Sequence, residues 1–166
     1  MIRALAIFLL LCAPLSAQDT KAAAPAPSTP AAAAAEAQVE GMLFFASNEA
    51  TAPAQEEKIS VDPDLLKNTT TRLGKTFKYT HFHIIGRHTQ KIFKEYESWV
   101  VPSKDLCLKM DSRGPADGGG VKLHLQLWQD KKVLVKSDAI IRKDRPVFLG
   151  GPNWRGGRLI FVVVLK

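Results

Sequence analysis

The sequence predicts an α+β domain, with one N-terminal helix packed on a mainly antiparallel sheet of about six to seven strands. Three observations carry that expectation. One short segment near the start of the domain has helical spacing and a capping signature. Most later segments alternate apolar and polar residues, or run apolar at strand length. Clusters of Gly, Pro and Asp punctuate them. The sheet either lies flat under the helix or curls into a sandwich or partial barrel.

The chain reads as three parts. Met1-Ile2-Arg3 supplies one positive charge, Ala4 to Leu11 is unbroken apolar sequence, and Pro14-Leu15-Ser16-Ala17 breaks the run on a small residue. Residues 1–17 therefore read as a secretory signal peptide, cut after Ala17. A spanning helix needs about 20 apolar residues, and this run is too short. An anchor kept uncut and a lipid attached at Cys12 stay as alternatives, although Leu11 stands where lipid attachment prefers a small residue. Residues 18–38 are rich in Ala and Pro and read as a disordered tether. Proline prevents continuous helix, and few apolar side chains are present to offset the ordering of the backbone. Residues 39–166 form a single domain.

Val39 to Ser47 is apolar and of strand length. Asp62 is a good N-cap, Pro63 suits the first helical position, and Asp64 suits the positive end of the macrodipole. Leu65, Leu66, Thr69 and Leu73 then share one helical face, and Gly74 is the expected stop. Phe77 to Arg87 reads as a strand that Gly86 bends or bulges, and Gln90 to Val101 as a second extended stretch, with a helical turn over Lys91 to Tyr96 as the alternative. Leu106, Leu108 and Met110 alternate, and Arg113 to Gly120 is a glycine-rich turn. Val121, Leu123, Leu125 and Leu127 alternate with Lys122, His124, Gln126 and Trp128, giving one buried and one wet face. Asp130-Lys131 turn the chain into Val133–Arg142. Pro146 to Leu149 is a short strand and Gly150 to Gly157 a turn. Leu159 to Leu165 has no polar break, so it should be central and buried on both faces.

The chain carries 23 Lys and Arg against 16 Asp and Glu, a net charge of +7. Such a surface suits an envelope protein or an anionic polymer as partner, and export argues against nucleic acid. No segment after the signal is long and apolar enough to cross a bilayer. With Cys12 removed, Cys107 is the one thiol of the mature chain, so no internal disulfide forms. It lies in strand-like sequence, away from the cationic surroundings that activate a nucleophile.

Candidate sites are few. His81 and His83 fall on one face of a strand, their side chains about 7 Å apart, close enough to share a metal ion. His88 has the opposite parity unless Gly86 shifts the register, and His124 is remote in sequence. Trp154 and Arg155, in the glycine-rich turn, offer an aromatic and cationic binding edge, or else Trp154 caps the core. Trp128 shares the wet face of its strand and is a contact candidate, with Trp99 as ambiguous. No nucleophile elbow or phosphate loop is present, and Gly118-Gly119-Gly120 precedes a strand rather than a helix. The sequence calls for no catalytic residue and no cofactor.

Phe44-Phe45-Ala46-Ser47-Asn48, Val61-Asp62-Pro63-Asp64-Leu65, Phe77-Lys78-Tyr79 and Gly150-Gly151-Pro152 before Leu159-Ile160-Phe161-Val162 resemble the pattern of a family of short exported bacterial proteins with no assigned function. The likeness covers the domain and implies a Gram-negative envelope, and it carries over no catalytic residues. The expected function is that of a non-enzymatic envelope protein, an interaction domain for a protein or an envelope polymer. The alternative is a small-ligand or metal-binding periplasmic protein. Intact mass of the exported protein should place its first residue at Gln18. A mature form that keeps residues 2–11, or an acylated Cys12, would refute the signal assignment.

Overall fold

The structure, a computed structural model, describes residues 35–51, 53, 59–93, 97–143 and 145–166, with side chains from residue 37 onward. The expected signal peptide and all of the tether up to residue 34 lie outside the described residues. Among those residues, one helix and eight antiparallel strands form two four-stranded sheets, with no closed barrel. The strands are β1 (Ala35–Ser47), β2 (His81–Phe93), β3 (Glu97–Val100), β4 (Leu106–Pro115), β5 (Val121–Gln129), β6 (Lys132–Ile141), β7 (Val147–Trp154) and β8 (Gly157–Leu165). The helix α1 spans Pro63–Thr76. The first sheet has the order β2-β1-β8-β7 and the second β3-β4-β5-β6. The protein is thus mainly β, with eight strands where six to seven were expected and the strands divided between two sheets.

Helix α1 starts as its sequence dictates. The Asp62 carboxylate accepts from the Leu65 N–H at 2.9 Å, and Pro63 occupies the first turn, where no intrahelical donor is needed. Leu73 and Thr69 are buried, with Leu65 and Leu66 packed beside them. Gly74 does not end the helix. The chain leaves only at Phe77, whose N–H still reaches the Leu73 carbonyl at 2.8 Å and whose ring joins the apolar cluster beneath α1. Burial of that ring outweighs the local preference of glycine for a stop.

The strand boundaries after the helix also differ from expectation. Phe77 and Tyr79 pack under α1 instead of pairing, so β2 begins at His81 and runs on to Phe93. Opposite it, Leu43 pairs with Gly86 and Phe44 with Ile84, which makes Ile85 the extra residue of a bulge. The glycine-rich turn before β5 is shorter than expected, since β4 continues to Pro115. Gly118, Gly119 and Gly120 have φ of 74°, 88° and 93°, a run that only glycine adopts at little cost. The segment from Gly150 is mostly strand. β7 reaches Trp154, and the turn shrinks to Arg155-Gly156. Pro152 is tolerated because β7 is an edge strand whose register slips between Gly150 and Asn153.

The expectation that the last strand is central holds. β8 lies between β1 and β7, and Leu159 to Val164 are all buried. Alternate residues of this strand serve two separate clusters. Leu159, Phe161 and Val163 join Leu43 and Phe45 of β1 and Leu108, Leu123, Leu125 and Leu127 of the second sheet. Ile160, Val162 and Val164 join Met42, Phe44 and Leu73 under α1. Each such side chain contributes about 1.5–3 kcal/mol on burial. The sheets approach so closely at Gly41 that a Cβ there would collide with Val100 of β3 and crowd the Phe161 ring.

One charge sits inside this apolar frame. Glu40 of β1 has no exposed surface. Its Oε1 accepts from Arg87 Nε of β2, and its Oε2 pairs with the Lys166 ammonium, an ion pair rather than an aligned hydrogen bond. Arg87 also donates to the Ser60 carbonyl at 2.8 Å, fastening the loop before α1. Burial opposes the charged form of Glu40. The Arg87 hydrogen bond and the charges of Arg87 and Lys166 outweigh it and hold the carboxyl below the usual carboxylate range.

A lowered folded-state pKa contributes stability that is complete above the unfolded value, near pH 4.3, and is lost as pH falls through the folded value. Glu40→Gln should therefore destabilise the protein by about 2–3 kcal/mol at pH 7, less than for a fully enclosed pair because both cations keep partial solvent contact. The difference from wild type should shrink toward pH 3. Urea melts at both pH values measure it, and a difference that does not change with pH would mean the Glu40 carboxyl has the same pKa in the folded and unfolded states.

Candidate functional site

Helix α1 covers the outer face of the first sheet. The second sheet turns Leu106, Leu108 and Met110 of β4, with Val121, Leu123, Leu125 and Leu127 of β5, inward. Its other face is formed by the alternate residues. Reading across the ladders, Trp99 of β3 pairs with Lys109, Lys109 with Gln126, and Gln126 with Lys136. In the next row Cys107 pairs with Trp128, and Trp128 with Val133. The two tryptophans are therefore diagonal neighbours across β4. Their ring centroids are 5.9 Å apart with planes tilted by 55°.

Paired charges surround these rings. Lys109, with its side chain 15% exposed, bonds Glu97 and approaches Asp111 at 3.6 Å. Its hydrogen bond holds the Glu97 carboxyl below the usual range, to which a hydrogen bond with Trp99 adds. The same bond, with the Asp111 charge, raises the Lys109 ammonium. His124 Nδ1 lies 2.8 Å from Asp138, and Lys122 is 3.8 Å from Asp117. The Trp128 Nε1 is buried and makes no hydrogen bond within the protein. Cys107, opposite Trp128, has its thiol pushed up by burial, the reverse of what a nucleophile needs.

The structure separates the binding residues expected from sequence. Trp128 lies on the outer face of the second sheet. Trp154 is half-buried at the end of β7, packed against the cluster between the sheets, with its ring edge-on to Phe45 at 5.3 Å. Arg155, at φ 46°, stacks over that ring at 4.5 Å. Trp154 thus caps the core, and Arg155 covers the cap. Trp99, ambiguous in sequence, is the residue that completes the aromatic pair. Only the pairing of β3 with β4 places it there, and nothing local announces that pairing.

The histidines are arranged more closely than parity alone allowed. His83 pairs with Phe45 before the Ile85 bulge, and His88 with Gly41 after it, so His81, His83 and His88 share the inward face of β2. The His81 and His83 rings stack with centroids 6.4 Å apart and planes within 10°. His83 Nε2 is buried without a hydrogen bond. His88, however, uses Nδ1 to accept from the Val101 N–H at 2.8 Å. His124 is occupied by Asp138 on the other sheet. Among the described residues no group of three His, Cys, Asp or Glu is placed to hold a metal.

No protein-family model, curated protein or solved structure matches the chain.

If the stacked imidazoles are structural, purified protein should bind no stoichiometric zinc or copper by elemental analysis after dialysis. His81→Ala with His83→Ala should shift the thermal midpoint by only a few degrees. One equivalent of tightly held metal that disappears in the double variant would falsify this assignment.

Proposed function

We propose that this protein is a non-enzymatic binding module of the cell envelope, exported by its N-terminal signal, and that its ligand is a neutral sugar polymer. The single observation carrying the reading is the Trp99–Trp128 pair on the outer face of the second sheet, which no described helix covers. Aromatic rings on a broad β-face supply apolar area at low entropic cost, and planar polar groups such as Gln126 and Glu97 beside them suit hydroxyl-rich rings. Charge argues for a neutral ligand here. Lys109, Lys122 and His124 are each beside a carboxylate, which leaves Lys136 as the exposed cation in the row of the rings and offers little concentrated charge to an anionic chain. The finer architecture belongs to the same proposal. The two sheets close as a sandwich, which keeps the outer face broad rather than concave.

A protein partner is the second reading. It is favoured by Val101 and Ile140, exposed by 47% and 40% at opposite edges of the same sheet. A rim of aliphatics around aromatic residues is common in protein interfaces.

Peptide-free glycan strands prepared from cell wall separate these readings in a sedimentation assay. Wild type should co-sediment at high as well as low salt, because stacking is little screened. Trp99→Ala and Trp128→Ala should each weaken binding about tenfold, the size expected for loss of an aromatic anchor. Retention of full binding in both variants, or release by salt alone, would exclude the aromatic face as the site.

A further inference from the structure

One edge of the second sheet is formed by β6, and its side chains suit a second copy of the same strand. β6 pairs with β5 on one side, and among the described residues no strand pairs with it on the other. An edge strand of this length presents a row of backbone donors and acceptors that can template another strand. The edge is not uniform. Val135 pairs with Leu127 and Val133 with Trp128, so Leu134 is the extra residue of a bulge. Regular pairing runs from Val135 to Ile141, and that stretch is the part fit to accept a strand.

Side-chain parity sorts the stretch. Val135, Ser137 and Ala139 are in register with Leu127, Leu125 and Leu123, on the face toward the core. Lys136, Asp138 and Ile140 are in register with Gln126, His124 and Lys122 on the outer face, and all three are exposed. Asp138 meets His124 through one carboxylate oxygen, and its side chain remains 84% exposed.

These two charges select one register for a self-pairing. A two-fold axis perpendicular to the sheet keeps each face continuous, so outer residues meet outer residues across the new junction. An axis at Lys136 sets two ammonium groups opposite each other, and an axis at Asp138 sets two carboxylates. An axis at Ala139 sets Lys136 against Arg142. An axis at Ser137 sets Lys136 of each copy against Asp138 of the other, twice, with Val135 against Ala139 on the inner side. Opposite charges directly across two strands are favourable and like charges are not.

We propose that two copies of this chain pair edge to edge through β6, antiparallel and centred on Ser137. The two four-stranded sheets then form one continuous sheet. Ile140 of each copy, 40% exposed in one chain, comes beside the Leu134 bulge of the other, which removes apolar surface from water. The Trp99–Trp128 pairs of both copies share one face, which lengthens the surface open to a polymer. The pairing does not rest on the glycan reading, since it uses only the backbone and side chains of β6.

Sedimentation velocity of the full exported chain over a concentration series tests this. Wild type should pass from monomer to dimer as concentration rises through the micromolar range. Lys136→Glu and Asp138→Lys should each raise the dimer dissociation constant about tenfold, because each change turns two attractive contacts into repulsive ones. The combined exchange, Lys136→Asp with Asp138→Lys, should return it to within about threefold of wild type. Lys75→Glu, a charge reversal at an exposed position on α1, should alter it less than about twofold. Ser137→Cys in a Cys107→Ser background should crosslink the dimer under mild oxidation, because facing Cα atoms of an antiparallel pair lie about 4.5–5.5 Å apart, within disulfide reach. Thermal melts confirm that each variant is folded. A wild type that stays monomeric into the millimolar range would overturn the pairing. A dimer that neither single reversal weakens, or that the exchange fails to restore, would overturn the register and with it the proposal. Dimerisation is measured without glycan, so its failure leaves the glycan reading standing.

Discussion

The central pair of the first sheet, β1 and β8, has no wet face, and the other layers are placed by that fact. Met42, Phe44, Ile160 and Val162 need α1 on one side. Leu43, Phe45, Phe161 and Val163 need the second sheet on the other. A strand that is apolar at every position cannot be satisfied by one layer, so the chain must build two. Gly41 sharpens the constraint, because the distance between the sheets at that point leaves no room for a Cβ. Glu40 is the single interruption. It is retained where Arg87 and Lys166 can both reach it, and through Arg87 it ties β1, β2 and the loop before α1. Replacing such a group by an apolar one is often neutral for stability, but removing one partner is not.

This arrangement divides the surface. The first sheet spends both faces on cores and presents only edges and its helix. The second sheet spends one face and leaves the other open. The Trp99–Trp128 pair lies on that open face, and of the imidazoles of β2, His81 and His83 border hollows beside α1. Two stack on each other and the third accepts from the Val101 backbone, so they fill space beside the core.

What the sequence revealed follows from range. The cap at Asp62-Pro63, the alternation of β5, the Asp130 turn and the buried final strand are all set by residues within a few positions, and all were legible. Helix and strand ends were not, because tertiary burial decided them. Phe77 prolongs α1 and Phe77 with Tyr79 delays β2, each to fill the cluster under the helix. β3 was blurred because four residues carry too little period, and β7 because Gly150, Gly151 and Pro152 mimic a turn while lying in an edge strand. Parity correctly put Trp128 on the wet face. It could not supply Trp99, whose proximity depends on the β3–β4 register.

Charge shows the same contrast between local pattern and assembled surface. Along the chain the basic residues look scattered, and the net +7 suggests a uniformly cationic protein. In the fold, Lys109 of β4 lies beside Glu97 of the adjacent strand β3 and Asp111 of its own strand, and Lys122 of β5 beside Asp117 of the preceding turn. Neutralisation on that face is local: Lys136, in register with Gln126, is exposed. Screening over about 8 Å at physiological ionic strength acts on such exposed charges, but leaves the contact between Trp99 and Trp128 nearly intact.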